Sequence, residues 1–372
     1  KMKKIIIVGA GISGLCLANL LEKNSNYDYK IIEKRSNIDL LDGYGIQLSV
    51  NGVKLLNKIG FKEIAVNDIF YPNNINFYEA RNCELISNIN ISRFNEHGNY
   101  YTTLKRSKLM EFLLKNIPSE KFLFNSNVES IEHNNIIKIN LNDKKQEQAD
   151  YLVISDGVFS KTKKMVLQRN PAIYFNNSVA IRANLKYQQN KDVSIYLGPN
   201  FHFVVYPVNQ DNDFNFISIA RFNDLEKLKN SSNLVKNDIL NKITSKTSYI
   251  LDNNLENISL YPVYVSSDFL IPNNKKIFIS GDALFAFPPS FAQGASQSIE
   301  SAFEIFGNLQ GISNDYYQNR KTKTKKIEYR SNLNHYAFHV SNPLTIFLRN
   351  ISLKFLSKNK KFLENYLGKI YR

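Results

Sequence analysis

Gly9, Gly11 and Gly14 stand in the run Gly9-Ala10-Gly11-Ile12-Ser13-Gly14, directly after the apolar stretch Ile5-Ile6-Ile7-Val8. A turn of this composition, between a strand and a helix, lets backbone N–H groups and a positive helix end approach a pyrophosphate. Glu33 follows about 20 residues further on, at the end of the next apolar strand, where a carboxylate can accept hydrogen bonds from an adenosine ribose. Ala10 and Ser13 inside the turn, and Lys34 and Arg35 after the acid, complete this candidate site. The fingerprint alone does not choose between NAD and FAD. A second turn, Gly281-Asp282-Ala283-Leu284-Phe285-Ala286-Phe287-Pro288-Pro289-Ser290-Phe291-Ala292-Gln293-Gly294, follows another buried-strand pattern, Lys276-Ile277-Phe278-Ile279-Ser280. Two such turns, remote in sequence, could grip opposite ends of one cofactor of FAD length.

The elements that must position these residues can be read from periodicity. Residues 5–33 spell strand, turn, helix, strand, with Leu15, Leu17, Ala18, Leu20 and Leu21 on the helical repeat. Val53, Leu55, Leu56 and Ile59 predict a helix closed by Gly60, and Leu109 to Ile117 another that stops before Pro118. Short strands are expected at 122–124, 128–132, 136–141 and 151–155. From about Ile173 to Phe222 apolar and polar residues alternate, which predicts an antiparallel sheet with one covered face. A polar helical stretch spans 224–247, and the chain is mostly helical from Ser296. The nucleotide-type segments are interleaved with the sheet-rich one. We therefore expect an α/β fold with a discontinuous Rossmann-like cofactor domain (1–72, 100–170 and 275–340), an inserted antiparallel-sheet substrate domain (73–99 and 171–274) and C-terminal helices (341–372).

Five segments, in order along nearly the whole chain, resemble the FAD-dependent aromatic hydroxylases, the group of para-hydroxybenzoate and salicylate hydroxylases and tetracycline-modifying monooxygenases. They are the first turn with Glu33-Lys34-Arg35; Gly43-Tyr44-Gly45-Ile46-Gln47-Leu48; Arg106-Ser107-Lys108-Leu109; Asp150 to Ser160; and Gly281 to Gly294. The resemblance implies FAD as cofactor, NADH or NADPH as transient reductant and O2 as co-substrate, with oxygen transferred through a flavin C4a-hydroperoxide to an aromatic or conjugated apolar molecule. It implies cofactor contacts for Gln47 and Ala295, places Arg106 on the flavin side, and sets Asp156 and Gly157 in a cleft shared with the nicotinamide. Gly281 and Asp282 would hold the ribityl chain, and Pro289, Gln293 and Gly294 would wrap the isoalloxazine. The sequence departs from the family's pattern at Ser155 (usually Ala), Phe285 (usually His), Ala292 (usually Gly) and Ser301 (usually Asp). Phe285 and Ala292 bear on cleft polarity and flavin mobility.

The substrate is expected between flavin and sheet, where Tyr196, Phe201, Phe203, Tyr206, Phe214 and Phe216 suit a flat ligand, though at least half would be core. Arg182, His202 and Tyr206 are candidates for orienting a phenolate or carboxylate, with Phe203, Pro288 and Phe291 as further lining. No metal is expected: among His97, His133, His202, His335 and His339 only the last two share an i, i+4 spacing, which reads as a helix face. No Gly-x-Ser-x-Gly elbow supports acyl transfer. The absence of Trp removes the Trp-x-Trp-x-Ile-Pro signature of flavin-dependent halogenases.

At 372 residues and 43% apolar content the chain can bury a large core. Its net charge of +15 is spread among Asn and Ile rather than gathered in a block, which argues for a solvated surface over nucleic-acid binding. Cys16 and Cys83 make no framework, Cys16 reads as packing, and a reducing, cytoplasmic setting without a leader is expected. Phe347, Leu348, Ile351, Phe355 and Leu356, interleaved with Arg349 and Lys354, form an amphipathic basic helix expected to cover the cofactor domain, with peripheral membrane contact as the alternative. That helix keeps open a flavin-dependent reductase or epoxidase of an isoprenoid or lipid at a membrane surface. Phe285 keeps open a redox-inactive binding protein on the same fold.

Overall fold

Ile5, Ile6, Ile7 and Val8 are buried, as a strand covered on both faces requires, and they form the middle of a five-stranded parallel sheet. The computed structural model describes residues 2–41, 43–134, 136–186, 190–251 and 255–372. The order across this sheet is Ile277–Ile279, Tyr151–Ile154, Lys3–Val8, Tyr27–Ile32 and Phe122–Leu123. Its register sets Val8 beside Ile32 and Ile154, and Ile154 beside Ile279. Four carboxyl ends therefore finish level, and the residues after them, Gly9, Glu33, Ser155 and Ser280, share one edge. In open parallel sheets that edge is where ligands bind. The helices Ile12–Glu22 and Gly294–Leu309 each start from this edge and pack against one another.

A second, seven-stranded sheet runs Leu255–Ser266, Ile173–Lys186, Asp213–Arg221, Phe201–Pro207, Val193–Gly198, Asn74–Glu79, Leu85–Asn90. It is antiparallel except where Val193–Gly198 pairs in parallel with Asn74–Glu79. The alternation between 173 and 222 anticipated its centre. The strand Leu255–Ser266 and the parallel pairing were not anticipated, since neither carries a clean period of two. One face of this sheet, with Phe201, Phe203, Phe214 and Phe216, packs on the helix Ser232–Leu251 through Val235, Ile239 and Ile243.

The two sheets are joined through a small one formed by Gly45–Leu48, Thr102–Lys105 and Ile69–Phe70. Gly45 N–H donates to Asn215 Oδ1 at 2.6 Å, and a Cβ on Gly45 would lie 2.5 Å from Asn215 Cβ. Only glycine lets the two backbones come that close. Asp213 accepts from both Lys105 and Lys186, and Thr103 Oγ1 donates to the Pro207 carbonyl at 2.6 Å.

The C-terminal helices include Tyr316–Phe338 and Pro343–Leu356. The second does not cover the parallel sheet, as the sequence suggested. It packs on the edge strand Leu85–Asn90 of the large sheet and leaves Leu344, Phe347, Leu348 and Phe355 exposed. Ile351 and Leu356 are also open to solvent. Among the described residues no helix is long and apolar enough to cross a membrane.

Candidate functional site

The first turn is built by steric exclusion. Gly9 has φ +102°, and a Cβ there would lie 2.5 Å from the Ser155 carbonyl oxygen. A Cβ on Gly14 would fall onto the Gly9 carbonyl oxygen and lie 2.8 Å from Ser155 Oγ. Ser155, in place of the family's alanine, uses its hydroxyl to bond the Val8 and Gly9 carbonyls, both at 3.0 Å. Glu33 accepts from the Ala10 N–H and the Arg35 N–H, each at 3.0 Å, so its carboxylate is fixed beside the turn with acceptor capacity left over.

The second turn meets the first directly. Ser280 follows the strand Ile277–Ile279, and its hydroxyl contacts that of Ser13; it also donates to Ser301 Oγ at 2.9 Å, and Ser301 contacts the Tyr316 hydroxyl. Tyr316 closes this chain on the Ile279 carbonyl at 2.7 Å. Ser301, where the family usually has Asp, is thus a neutral link in a buried hydroxyl chain. Gly281 has φ +60°, and a Cβ there would lie 3.3 Å from Ser13 Cβ.

One cavity of about 1590 Å³ runs along both turns. Around the first turn it is lined by Gly9, Ala10, Gly11, Ser13, Glu33, Lys34 and Arg35. Gln47, Arg106, Asp156, Gly157, Gly281 and Asp282 line it as well. It continues along Pro288, Pro289, Phe291, Gln293, Gly294 and Ala295 to Arg182, His202 and Tyr206 on the large sheet. Gly14 is not part of the lining; its role is the close packing just described.

Two expected features are corrected. Phe203 is fully buried on the other face of the sheet, stacked on Tyr196 with ring centroids 4.6 Å apart. Side chains alternate across a strand, so His202, Val204 and Tyr206 face the cavity while Phe201, Phe203 and Val205 cannot. The central strands of the large sheet accordingly give the cavity an aliphatic patch of Val193, Ile195, Val204, Ile217 and Ile219, while Tyr206, Phe77, Phe291 and Tyr366 line it elsewhere. The aromatic run Tyr196, Phe201, Phe203, Phe214 and Phe216 is core. Phe285 also does not line this cavity. It lies 5.3 Å from the Phe287 ring and borders a small space behind Asp282 with Gln297 and Arg320.

Asp156 takes a 2.8 Å hydrogen bond from Thr162 Oγ1, while its Oδ1 is buried without a partner. Burial raises its carboxyl above the ordinary range, and the Ser160 and Thr162 hydroxyls pull it part of the way back. Asp282 is raised by desolvation, with the Arg106 guanidinium opposing. Its side chain opens on the cavity.

The Pro289–Gly294 segment rests on a buried polar network. Gln293 Nε2 donates to Ser49 Oγ at 2.9 Å, and Gln297 Nε2 to Gln293 Oε1 at 3.1 Å. Arg320 reaches Gln297 at 3.0 Å and Glu300 at 2.9 Å. Ala292 takes φ +50° and ψ +36°, a left-handed conformation that favours glycine.

The histidines are not a plain helix face. His202 Nδ1 lies 2.9 Å from His339 Nε2, His339 is fully buried, and Ser290 Oγ lies 3.3 Å from His335 Nδ1. Burial, with the neighbouring His335, drives His202 down to about 3, and burial with Arg221 drives His335 to about 4. At neutral pH both are uncharged. His202 therefore offers the cavity a hydrogen bond and no charge. Among the described residues no group of His, Cys, Asp and Glu has metal-holding geometry.

Sequence reasoning missed Tyr101, which lines the cavity and donates to Gln47 Oε1 at 2.7 Å, and Leu363, Leu367 and Tyr371, which reach it from the C-terminal segment. No local motif marks them. Cys16 is buried packing, and burial pushes its thiol up.

These residues fit a flavin dinucleotide: a turn that a Cβ would fill, a fixed acid at its side, and an unpartnered carboxylate oxygen on the wall. The FAD binding domain family matches residues 2–315. The FAD-dependent monooxygenase ctvC of Aspergillus terreus is 21% identical over 346 residues, 85% of this chain and 72% of that protein. The 3-amino-4-hydroxybenzoate 2-monooxygenase of Streptomyces cremeus is 23% identical over 360 residues, 91% of this chain and 88% of that protein. The crystal structure of Klebsiella pneumoniae HpxO complexed with FAD and uric acid has a TM-score of 0.80 at 18% identity, covering 99% of this chain and 96% of that one.

Proposed function

Because the chain belongs to the FAD binding domain family and is a FAD-dependent monooxygenase, we propose that it hydroxylates or epoxidises an apolar aromatic or conjugated small molecule. NADH or NADPH is the transient reductant and O2 the co-substrate. One oxygen atom enters the product and the other leaves as water, with two electrons from the reductant. Bound FAD supplies the electron transfer and oxygen activation, and the protein supplies binding, orientation and exclusion of water.

In this reading the Gly9–Ser13 turn and the helix that follows take the pyrophosphate, and Glu33 takes the adenosine ribose, flanked by Lys34 and Arg35. Gln47 and Arg106 border the flavin, Asp156 and Gly157 border the entry of the nicotinamide, and Gly281 with Asp282 holds the ribityl hydroxyls. Pro289, Gln293, Gly294 and Ala295 lie along the ring. Segments 1–72, 100–170 and 275–340 act as the FAD unit, 73–99 and 171–274 as the substrate unit, and 341–372 as its C-terminal wall. Burial keeps the Tyr206 hydroxyl protonated, so it can donate to an anionic substrate oxygen beside Arg182. The aliphatic patch from Ile195 to Ile219 excludes water from the transferred oxygen.

The observation that supports this reading is the continuity of the cavity, from Gly9 past Asp282 to Arg182. Its volume exceeds the ~300–1,000 Å³ of a single-ligand pocket, which leaves space beyond the dinucleotide. The exposed apolar helix Pro343–Leu356 favours a second reading, reduction or epoxidation of an isoprenoid or lipid at a membrane surface. Reductant consumption by the FAD-loaded protein, screened across phenols, indoles, polyketides and polyprenols, separates the two. Substrate-stimulated oxidation of NAD(P)H with oxygen incorporated into an aromatic supports the first. Stimulation by polyprenols alone replaces it with the second.

A further inference from the structure

The helix Pro343–Leu356 has an inner and an outer face. On the inner face Arg349 Nη2 donates to Glu79 Oε2 at 3.1 Å, Ser87 Oγ donates to the Leu353 carbonyl at 3.2 Å, and Leu353 lines the cavity. On the outer face Leu344 is 66%, Phe347 60% and Phe355 74% exposed. With Leu348 and Ile351 they repeat at spacings of three and four, which places them on one stripe. Leu348 and Leu356 lie both on the open side and on the cavity lining, which also includes the exposed Leu333 and Tyr336 of the helix Tyr316–Phe338. The stripe therefore borders the cavity's rim.

Between residues 343 and 363 the charged side chains are all basic. Lys354, Lys358, Lys360 and Lys361 are exposed and make no ion pair among the described residues. An apolar helical stripe flanked by lysines, on a helix that cannot cross a bilayer, has the chemistry of an anionic lipid interface. A two-fold pairing of this face with a second copy would bring the same lysines toward one another, which opposes it.

We propose that Pro343–Leu356 docks on an anionic lipid surface and turns the mouth of the cavity toward it, so that a lipophilic substrate enters from the bilayer. The direction of substrate entry rests on the oxygenase reading above; the docking does not. The FAD-loaded protein is sedimented with phosphatidylcholine vesicles, with and without phosphatidylglycerol. Binding is expected only with the anionic lipid and is expected to weaken as salt rises. The double variant Phe347→Ser, Phe355→Ser, at exposed positions off the cavity lining, should keep its flavin absorbance and lose vesicle binding. The double variant Lys358→Glu, Lys361→Glu should weaken binding by about tenfold or more. No sedimentation of the wild-type protein with anionic vesicles overturns the proposal. Light scattering that shows a dimer dissolved by the Phe variant also overturns it, in favour of a self-interface. Reductant consumption with water-soluble phenols, read without vesicles, tests the oxygenase reading separately.

Discussion

The hydroxyl of Ser13 is in hydrogen-bond contact with that of Ser280, although 267 positions of sequence separate them. This contact fastens the helix of the first glycine turn to the base of the second, and Gly281 packs against Ser13 in the same place. Replacing Ser280 by Val removes the hydroxyl partner of Ser13 and one of the two hydroxyl partners of Ser301, at a position that is 1% exposed. A loss of about 1–3 kcal/mol is expected from the buried Ser13 hydroxyl left without this partner. Thermal unfolding of the FAD-loaded variant should show a drop of several degrees together with weaker FAD retention. An unchanged Tm would separate the contact from the stability of the site.

Asp282 gives a pH-dependent prediction. Burial lifts its carboxyl above the ordinary value, with Arg106 opposing. An acid raised on folding binds its proton more tightly in the folded state, so its contribution is fully present below the unfolded pKa and is lost as pH rises through the folded pKa. Asp282→Asn should therefore raise the Tm of the flavin-free protein at neutral pH and leave it unchanged in acid. The same variant should bind FAD about tenfold more weakly, because an acceptor for the ribityl hydroxyls is lost. A Tm that falls at neutral pH would contradict the burial argument.

Ala292 holds a conformation that costs a non-glycine residue roughly 1–2 kcal/mol. Ala292→Gly recovers this less the ~0.5–1 kcal/mol entropic cost of glycine, so a small rise in Tm is expected. The Pro289–Gly294 segment becomes freer to move, and hydrogen exchange of the Gln293 and Gly294 amides should quicken. A fall in Tm would mean that the Ala292 methyl makes contacts worth more than the strain.

The two faces of the large sheet predict opposite phenotypes. Phe203→Leu, on the core face, should cost about 1 kcal/mol of stability and leave the KM for substrate unchanged. Arg182→Leu, on the cavity face, should raise the KM for an anionic aromatic about tenfold or more with the flavin absorbance unaltered. Steady-state kinetics and thermal unfolding of the pair check this. A KM change from Phe203→Leu without a Tm change would reverse the assignment of faces.

The glycine turns were legible because they are local: a positive φ at Gly9 and at Gly281, and an approach that only glycine permits, leave their mark in the residues themselves. Glu33 was legible by its distance from Gly14. The face of Phe203 was not, because period two reveals alternation but not which set faces the ligand; partner strands and the helix Ser232–Leu251 decide that. Tyr101 and Tyr371 meet at the cavity only through tertiary folding, and the Ser13–Ser280–Ser301–Tyr316 chain joins four residues with no shared motif. The expected cover of the cofactor domain by Phe347 and its neighbours failed for a related reason. An amphipathic repeat announces an apolar face without naming what lies against it.

Titration of the flavin-free protein with FAD and, in parallel, with FMN tests most directly whether two distant bends hold one molecule. With the adenosine end gripped at Gly9–Ser13 and Glu33 and the flavin end at Asp282 and Pro289–Gly294, FAD should bind at one equivalent and FMN about a hundredfold or more weaker. Equal affinity for the two, or no binding of either, would contradict the account.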